Sequence, residues 1–250
     1  MATTTTVSTA GMRNGVQPLR AGQGRSFLWH RLHSLSGIVP VGAFLVEHFL
    51  SNAFATNGPA AYADQVKFLT GLPFVDVLEW GFIYIPLLYH ALYGFWIWYR
   101  GETNVGSYPW SGNWLYTSQR YTGGIAFAYM LWHTYTIRFT GVHLLNGGYP
   151  YAFAKVAAEM VVPWKMAFYA VGIVCASWHF SYGIFLFAAK WGLVTGDKAQ
   201  KRLLAVCVLI FLMFAGVGLY SMWAFTNGPF LQQMTPLPAE AMVWVRGLAG

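Results

Sequence analysis

The sequence predicts an all-α membrane protein whose five transmembrane helices form a bundle. Three observations predict it. Of 250 residues, 56% are apolar, while only 9% are Asp, Glu, Lys or Arg, against about 25% in an ordinary soluble domain. The apolar residues fall in runs long enough to cross a bilayer core of about 30 Å, which takes about 20 residues of helix. Those runs do not alternate with polar residues, which excludes the strand pattern of a membrane barrel. Two cysteines, Cys175 and Cys207, make no disulfide framework. The net charge of +7 comes from scattered basic residues rather than from the continuous stripe of a nucleic-acid binder.

The expected spans are residues 32–53, 77–99, 121–141, 164–189 and 203–225. Gly, Pro, Asn and Ser clusters separate them, as at Thr56-Asn57-Gly58-Pro59 and Asn146-Gly147-Gly148-Tyr149-Pro150. Residues 1–25 are polar and Thr/Gly-rich, with no apolar core of a signal peptide, and are expected to be a disordered cytoplasmic tail. Residues 26–226 form the membrane domain. Residues 227–250 are an outer tail, with a short interfacial helix near Met242-Val243-Trp244. With the N-terminus inside, the inner flanks hold Arg13, Arg20, Arg25, Arg31, Arg100, Arg120, Lys190, Lys198, Lys201 and Arg202. The outer flanks hold only Lys67, Arg138, Lys155, Lys165 and Arg246. The positive-inside rule therefore favours a cytoplasmic N-terminus and an outer C-terminus.

Four of the seven histidines lie within spans: His48, His90, His133 and His179. Ionisable side chains at membrane depth are costly and are functional candidates, although any one of them could simply be an interhelical hydrogen-bonding residue. Their depths are more informative. His90 precedes Arg100 by 10 residues and His179 precedes Lys190 by 11, which puts both about 15 Å from the inner face at 1.5 Å per residue. His48 and His133 follow Arg31 and Arg120 by 17 and 13 residues and fall in the outer half. Two pairs of neutral imidazoles at matched depths are what two bis-histidine b haems require. His90 and His179 are each followed four residues on by glycine, Gly94 and Gly183, on the same helix face. Gly37 lies close to the face of His48 at the depth of the inner pair. These glycines leave gaps for a flat macrocycle, although glycine is also common in packed membrane helices.

The chain resembles the five-helix, dihaem cytochrome b subunit of succinate dehydrogenase, the b558 type, from about Ser26 to Thr226. The resemblance is carried by Arg31-Leu32-His33-Ser34 with Ser36-Gly37, Gly42 through Glu47-His48, Leu72-Pro73-Phe74 and Tyr89-His90-Ala91-Leu92-Tyr93-Gly94. It continues through Asn113-Trp114, Gln119-Arg120-Tyr121-Thr122-Gly123, Trp132-His133 with Arg138, and His179-Phe180-Ser181-Tyr182-Gly183. It implies axial ligation by His48, His90, His133 and His179 in the pairing read from depth. It also implies a cytoplasmic flavoprotein with covalent FAD and an iron–sulfur subunit as partners, and quinone, in the dihaem type usually menaquinone, as electron acceptor. The bacterial cytoplasmic membrane is the implied location, and a higher oligomer of the heterotrimer is compatible with it.

No dinucleotide fingerprint or iron–sulfur cysteine cluster occurs in this chain, so succinate oxidation is expected in the partners. His33, Ser34 and Lys190 are placed for the inner haem propionates and Arg138 for the outer ones, with snorkelling as the plainer account of the two cations. Glu47, Asp76 and Glu79 are the acidic candidates for delivering protons to quinone, with Lys67 and His143 as helpers. A quinol:fumarate reductase would use the same parts, but some of its dihaem members carry Glu two residues before the last ligand, where this chain has Ser177. A haem-free proton-coupled transporter is the remaining alternative, and the expected inverted repeats are missing for it.

Overall fold

The computed structural model describes residues 21–239; the first twenty residues and the proposed helix at Met242-Val243-Trp244 lie outside the described residues. The chain divides after Leu32 into two compact units. The first contributes the start of helix α1 (Ala21–Ile38), which begins inside the stretch expected to be a tail. Within this unit the Arg31 guanidinium lies over the Phe27 ring, 4.9 Å from its centroid.

The second unit, from His33 onward, holds the end of α1 and the remaining helices. These are α2 (Pro40–Ala53), α3 (Pro59–Thr70), α4 (Val75–Leu78), α5 (Ile85–Arg100), α6 (Ser111–Thr134), α7 (Ala152–Met160), α8 (Pro163–Lys190), α9 (Asp197–Ala224) and α10 (Gly228–Gln233). No strand occurs among the described residues. Proline opens α2, α3 and α8, where its fixed φ suits the first turn and its missing N–H costs nothing. Two stretches are wider π-helical turns, Glu79–Tyr84 leading into α5 and Tyr135–Phe139 ending α6. Phe74, the residue before α4, takes a left-handed φ of 55°, a conformation that L side chains avoid.

Among the described residues three helical stretches are long and apolar enough to cross a membrane: Ser26–Asn57, Pro163–Lys190 and Asp197–Ala224. A fourth arises if Pro59–Thr70 and Val75–Arg100, bent by 86°, count together. α6 has 24 residues, about 36 Å of helix, but Asn113, Gln119 and Arg120 dilute its first half. The spans expected at 77–99 and 164–189 coincide with helical stretches to within a few residues, whereas the helices at the other three begin earlier, at residues 21, 111 and 197 rather than 32, 121 and 203. Hydropathy did not mark α3 and α7, which lie in segments read as connections. α7 is almost entirely buried, and with α3, the end of α9 and Phe153 and Phe225 it forms the main apolar core. α8 packs between α6 and α9. Many large apolar side chains face outward, including Leu92, Leu209 and Phe82, as a hydrocarbon solvent allows.

Candidate functional site

His90 on α5 and His179 on α8 meet with ring centroids 6.1 Å apart and planes at 80°. Each ring is held by another helix in the same way. His90 Nδ1 donates to the His33 carbonyl at 2.9 Å, and its ring lies against Gly37, where a Cβ would collide with it. His179 Nδ1 donates to the Gln119 carbonyl at 3.0 Å, and a Cβ on Gly123 would come within 2.6 Å of its ring. His33 with Gly37, and Gln119 with Gly123, are both i, i+4 pairs, so carbonyl and gap share one helix face. A carbonyl only accepts, which fixes the hydrogen on Nδ1 and leaves the Nε2 lone pair of each ring available. The Gln119 side-chain amide also donates to the His179 carbonyl at 2.9 Å. The His33 ring stacks on His90 at 4.2 Å.

His48 on α2 and His133 on α6 form the second pair, with centroids 5.6 Å apart and planes at 74°. They line a cavity of about 450 Å³ that also takes in Glu47, Glu79, Tyr84 and Arg138. Here the rings are held differently. Asn52 Nδ2 lies 3.2 Å from His48 Nε2 and donates to the His48 carbonyl at 2.8 Å. The Tyr129 ring stacks beside His133 at 5.6 Å, and His133 Nδ1 is buried with no hydrogen-bond partner among the described residues.

The His90–His179 pair fits a bis-imidazole haem. Two imidazoles each about 2 Å from one metal hold their ring centroids about 6 Å apart, and the His90–His179 spacing matches that with tautomers already set. Second-group hydrogen bonds of this kind are the usual support of a metal-ligating histidine. The His48–His133 pair has the cavity and the near spacing, but Asn52 must release Nε2 before His48 can ligate through it.

A profile of the family described as succinate dehydrogenase/fumarate reductase transmembrane subunit matches residues 102–217. The Bacillus subtilis (strain 168) succinate dehydrogenase cytochrome b558 subunit is 36% identical over 201 residues, covering 80% of this chain and 98% of that protein. The chain belongs to the succinate dehydrogenase cytochrome b558 family. Membership makes it the membrane cytochrome b subunit of an oxidoreductase complex, implies haem, and implies flavoprotein and iron–sulfur partners.

The other expected residues of this b558-family chain fall as follows. Arg138 makes a forked pair with Glu79, from Nε at 3.0 Å and Nη2 at 2.8 Å, and reaches Asp76 at 3.4 Å. The ion pair thus joins the two π-helical turns at the cavity wall. Glu47 accepts from Ser51 Oγ, which accepts from Gln65 Nε2 at 2.9 Å. Ser34 accepts from Trp191 Nε1 at 3.1 Å. A Cβ on Gly94 would meet His33 Nε2 at 3.2 Å, and one on Gly183 would meet Gln119 Nε2 at 3.6 Å. The two glycines therefore sit beside the groups that hold the imidazoles. Lys67 lies over the Tyr149 ring. Ser177 is fully buried, and its hydroxyl has no partner among the described residues.

Sequence reasoning gave no role to Gln119, Gly123 or Asn52. The repeated spacing of His33–Gly37 and Gln119–Gly123 was the available signal for the first two. It also missed a buried ion pair between α7 and α8, in which Lys165 Nζ meets Glu159 Oε1 at 3.2 Å and Trp132 Nε1 donates to Glu159 Oε2 at 3.2 Å. Nearby, Lys155 donates to the carbonyls of Thr140 and Val142, and burial pushes its ammonium down to about 8.

Proposed function

We propose that this chain is the membrane anchor and electron-carrying subunit of a succinate:quinone oxidoreductase. On this reading it has five spans, a cytoplasmic N-terminus, and two b-type haems held by His90 with His179 and by His48 with His133. The observation that carries the reading is the matched pair of cradles, in which His33 and Gln119 carbonyls orient two facing imidazoles above Gly37 and Gly123. When bound, a bis-imidazole b haem exchanges single electrons.

The chain's own residues do the rest. The His33 and Gln119 carbonyls keep Nδ1 protonated and Nε2 available. His33, Ser34 and Lys190 stand for the propionates on the cytoplasmic side and Arg138 for those on the outer side. Gly94 and Gly183 leave His33 and Gln119 room to hold their places. The flavoprotein, with its FAD, and the iron–sulfur subunit dock on the cytoplasmic face and deliver electrons taken from succinate. Quinone, in this reading menaquinone, is reduced at the cavity of the His48–His133 pair. Glu47, Asp76 and Glu79 supply its protons there, with Lys67 and His143 beside them; the Arg138 pair keeps Glu79 at the wall.

A reduced-minus-oxidised spectrum of the purified complex with a haem assay tests the reading. Two b haems per chain are expected, and none or one would overturn it. Comparing succinate-to-menaquinone with menaquinol-to-fumarate rates in the same preparation fixes the direction; faster fumarate reduction would reassign the complex as a quinol:fumarate reductase.

A further inference from the structure

Arg120 stands out among the charged groups that the proposed function leaves unused. Both terminal nitrogens of its guanidinium are buried and have no hydrogen-bond partner among the described residues. The group is fixed over the Tyr116 ring, 4.3 Å from its centroid, and packs against the backbone of Gly101 just past the end of α5. Arg138 and Lys165 each have carboxylate partners, whereas Glu102, the acid next to Gly101, is exposed. A guanidinium cannot shed its proton, and burying an uncompensated charge is expensive. Such a group calls for an anionic oxygen partner.

Its position says which one. Arg120 directly follows Gln119, whose carbonyl and side-chain amide both hold His179. Neighbouring helical positions project about 100° apart, so the guanidinium lies to one side of the face that holds His179, on the same helical turn as the residue whose carbonyl orients that imidazole. Because its nitrogens are enclosed by the chain, a small carboxylate brought inside the bundle reaches them more readily than an acidic surface of a partner protein does.

We propose that Arg120 is the cationic anchor for a propionate carboxylate of the haem between His90 and His179, and that its charge raises the reduction potential of that haem. This rests on the two-haem reading. A reduced haem carries one electron more than an oxidised one, so a fixed positive charge nearby favours reduction, and bidentate arginine is well suited to a carboxylate.

The test is an optical redox titration of the intact complex carrying Arg120→Gln, Arg120→Lys or, as a control, Glu102→Gln, with both haems quantified. In Arg120→Gln the reduced-to-oxidised ratio of one haem at fixed potential is expected to fall about tenfold, a shift of about 59 mV for one electron. Arg120→Lys is expected to recover most of that shift, and Glu102→Gln to leave both haems unchanged. If Arg120→Gln loses the haem altogether, its retention in Arg120→Lys supports the anchor, while loss in both variants overturns it. Unchanged potentials with both haems present overturn the inference and leave the two-haem reading standing. So does release of the hydrophilic partners with the potentials unmoved, which would assign Arg120 to a protein interface. A Glu102→Gln variant that reproduces the shift would make Glu102 the partner and overturn it as well. A wild-type complex without a haem on His90 and His179 would overturn both.

Discussion

At the scale of single residues, two glycines are as decisive as the histidines they face. Gly37 and Gly123 leave the space that the imidazoles of His90 and His179 occupy. An added methyl group there must push the ring, and overpacking of this kind costs about 1–3 kcal/mol. Gly37→Ala and Gly123→Ala are therefore each expected to deplete the haem of the His90–His179 pair while sparing that of His48–His133, as read by difference spectra and haem content. His90→Ala should remove the same haem first and leave at least part of the other; loss of the other haem alone would contradict the pairing. The histidines themselves were legible from sequence because helical rise is uniform, so counting residues from basic flanks gives depth. Their carbonyl partners were not, because which carbonyl meets which imidazole depends on the rotation of one helix against another.

At the scale of elements, the membrane helices were legible because hydropathy reports directly on their solvent. α3 and α7 were not, being short and stabilised by burial against one another and against the end of α9. α7 is pinned by charge as well as by packing. Lys165 is completely buried against Glu159, and removing one partner of such a pair strands the other at a cost of about 3–5 kcal/mol. Lys165→Met is expected to lower the thermal unfolding temperature of the detergent-solubilised subunit well below that of wild type. The double variant Lys165→Met with Glu159→Leu should recover much of the loss. If the single variant unfolds at the wild-type temperature, the pair does not hold α7. Across the cavity, Arg138 ties the two π-helical turns through Glu79. Substituting it by Gln is expected to raise the KM for menaquinone several-fold, measured as succinate-driven quinone reduction.

At the scale of the whole molecule, the number of crossings has a parity that can be read from the two ends. Five spans, with α6 among them, put the termini on opposite sides; four put them on the same side. Reporter fusions before residue 21 and after residue 239 are expected to report a cytoplasmic N-terminus and an outer C-terminus, and signals from the same side would remove one span. The composition of α6 left this open to hydropathy, since its polar first half carries Gln119 and Arg120, the first of which holds His179. The π-helical turn at Glu79–Tyr84 has a further consequence, for how the gene can change length. A π turn holds one residue more than an α-helix needs, so deleting one residue there would not break the helix but regularise it. The short helix α4 just upstream would then swing by about 100° relative to His90, with the turn before it taking up the change, and would carry Asp76 away from Arg138 while leaving the ligand in place. In this stretch the reading frame of the helix is itself a functional setting, and a single-codon deletion would act on the cavity wall without touching a ligand.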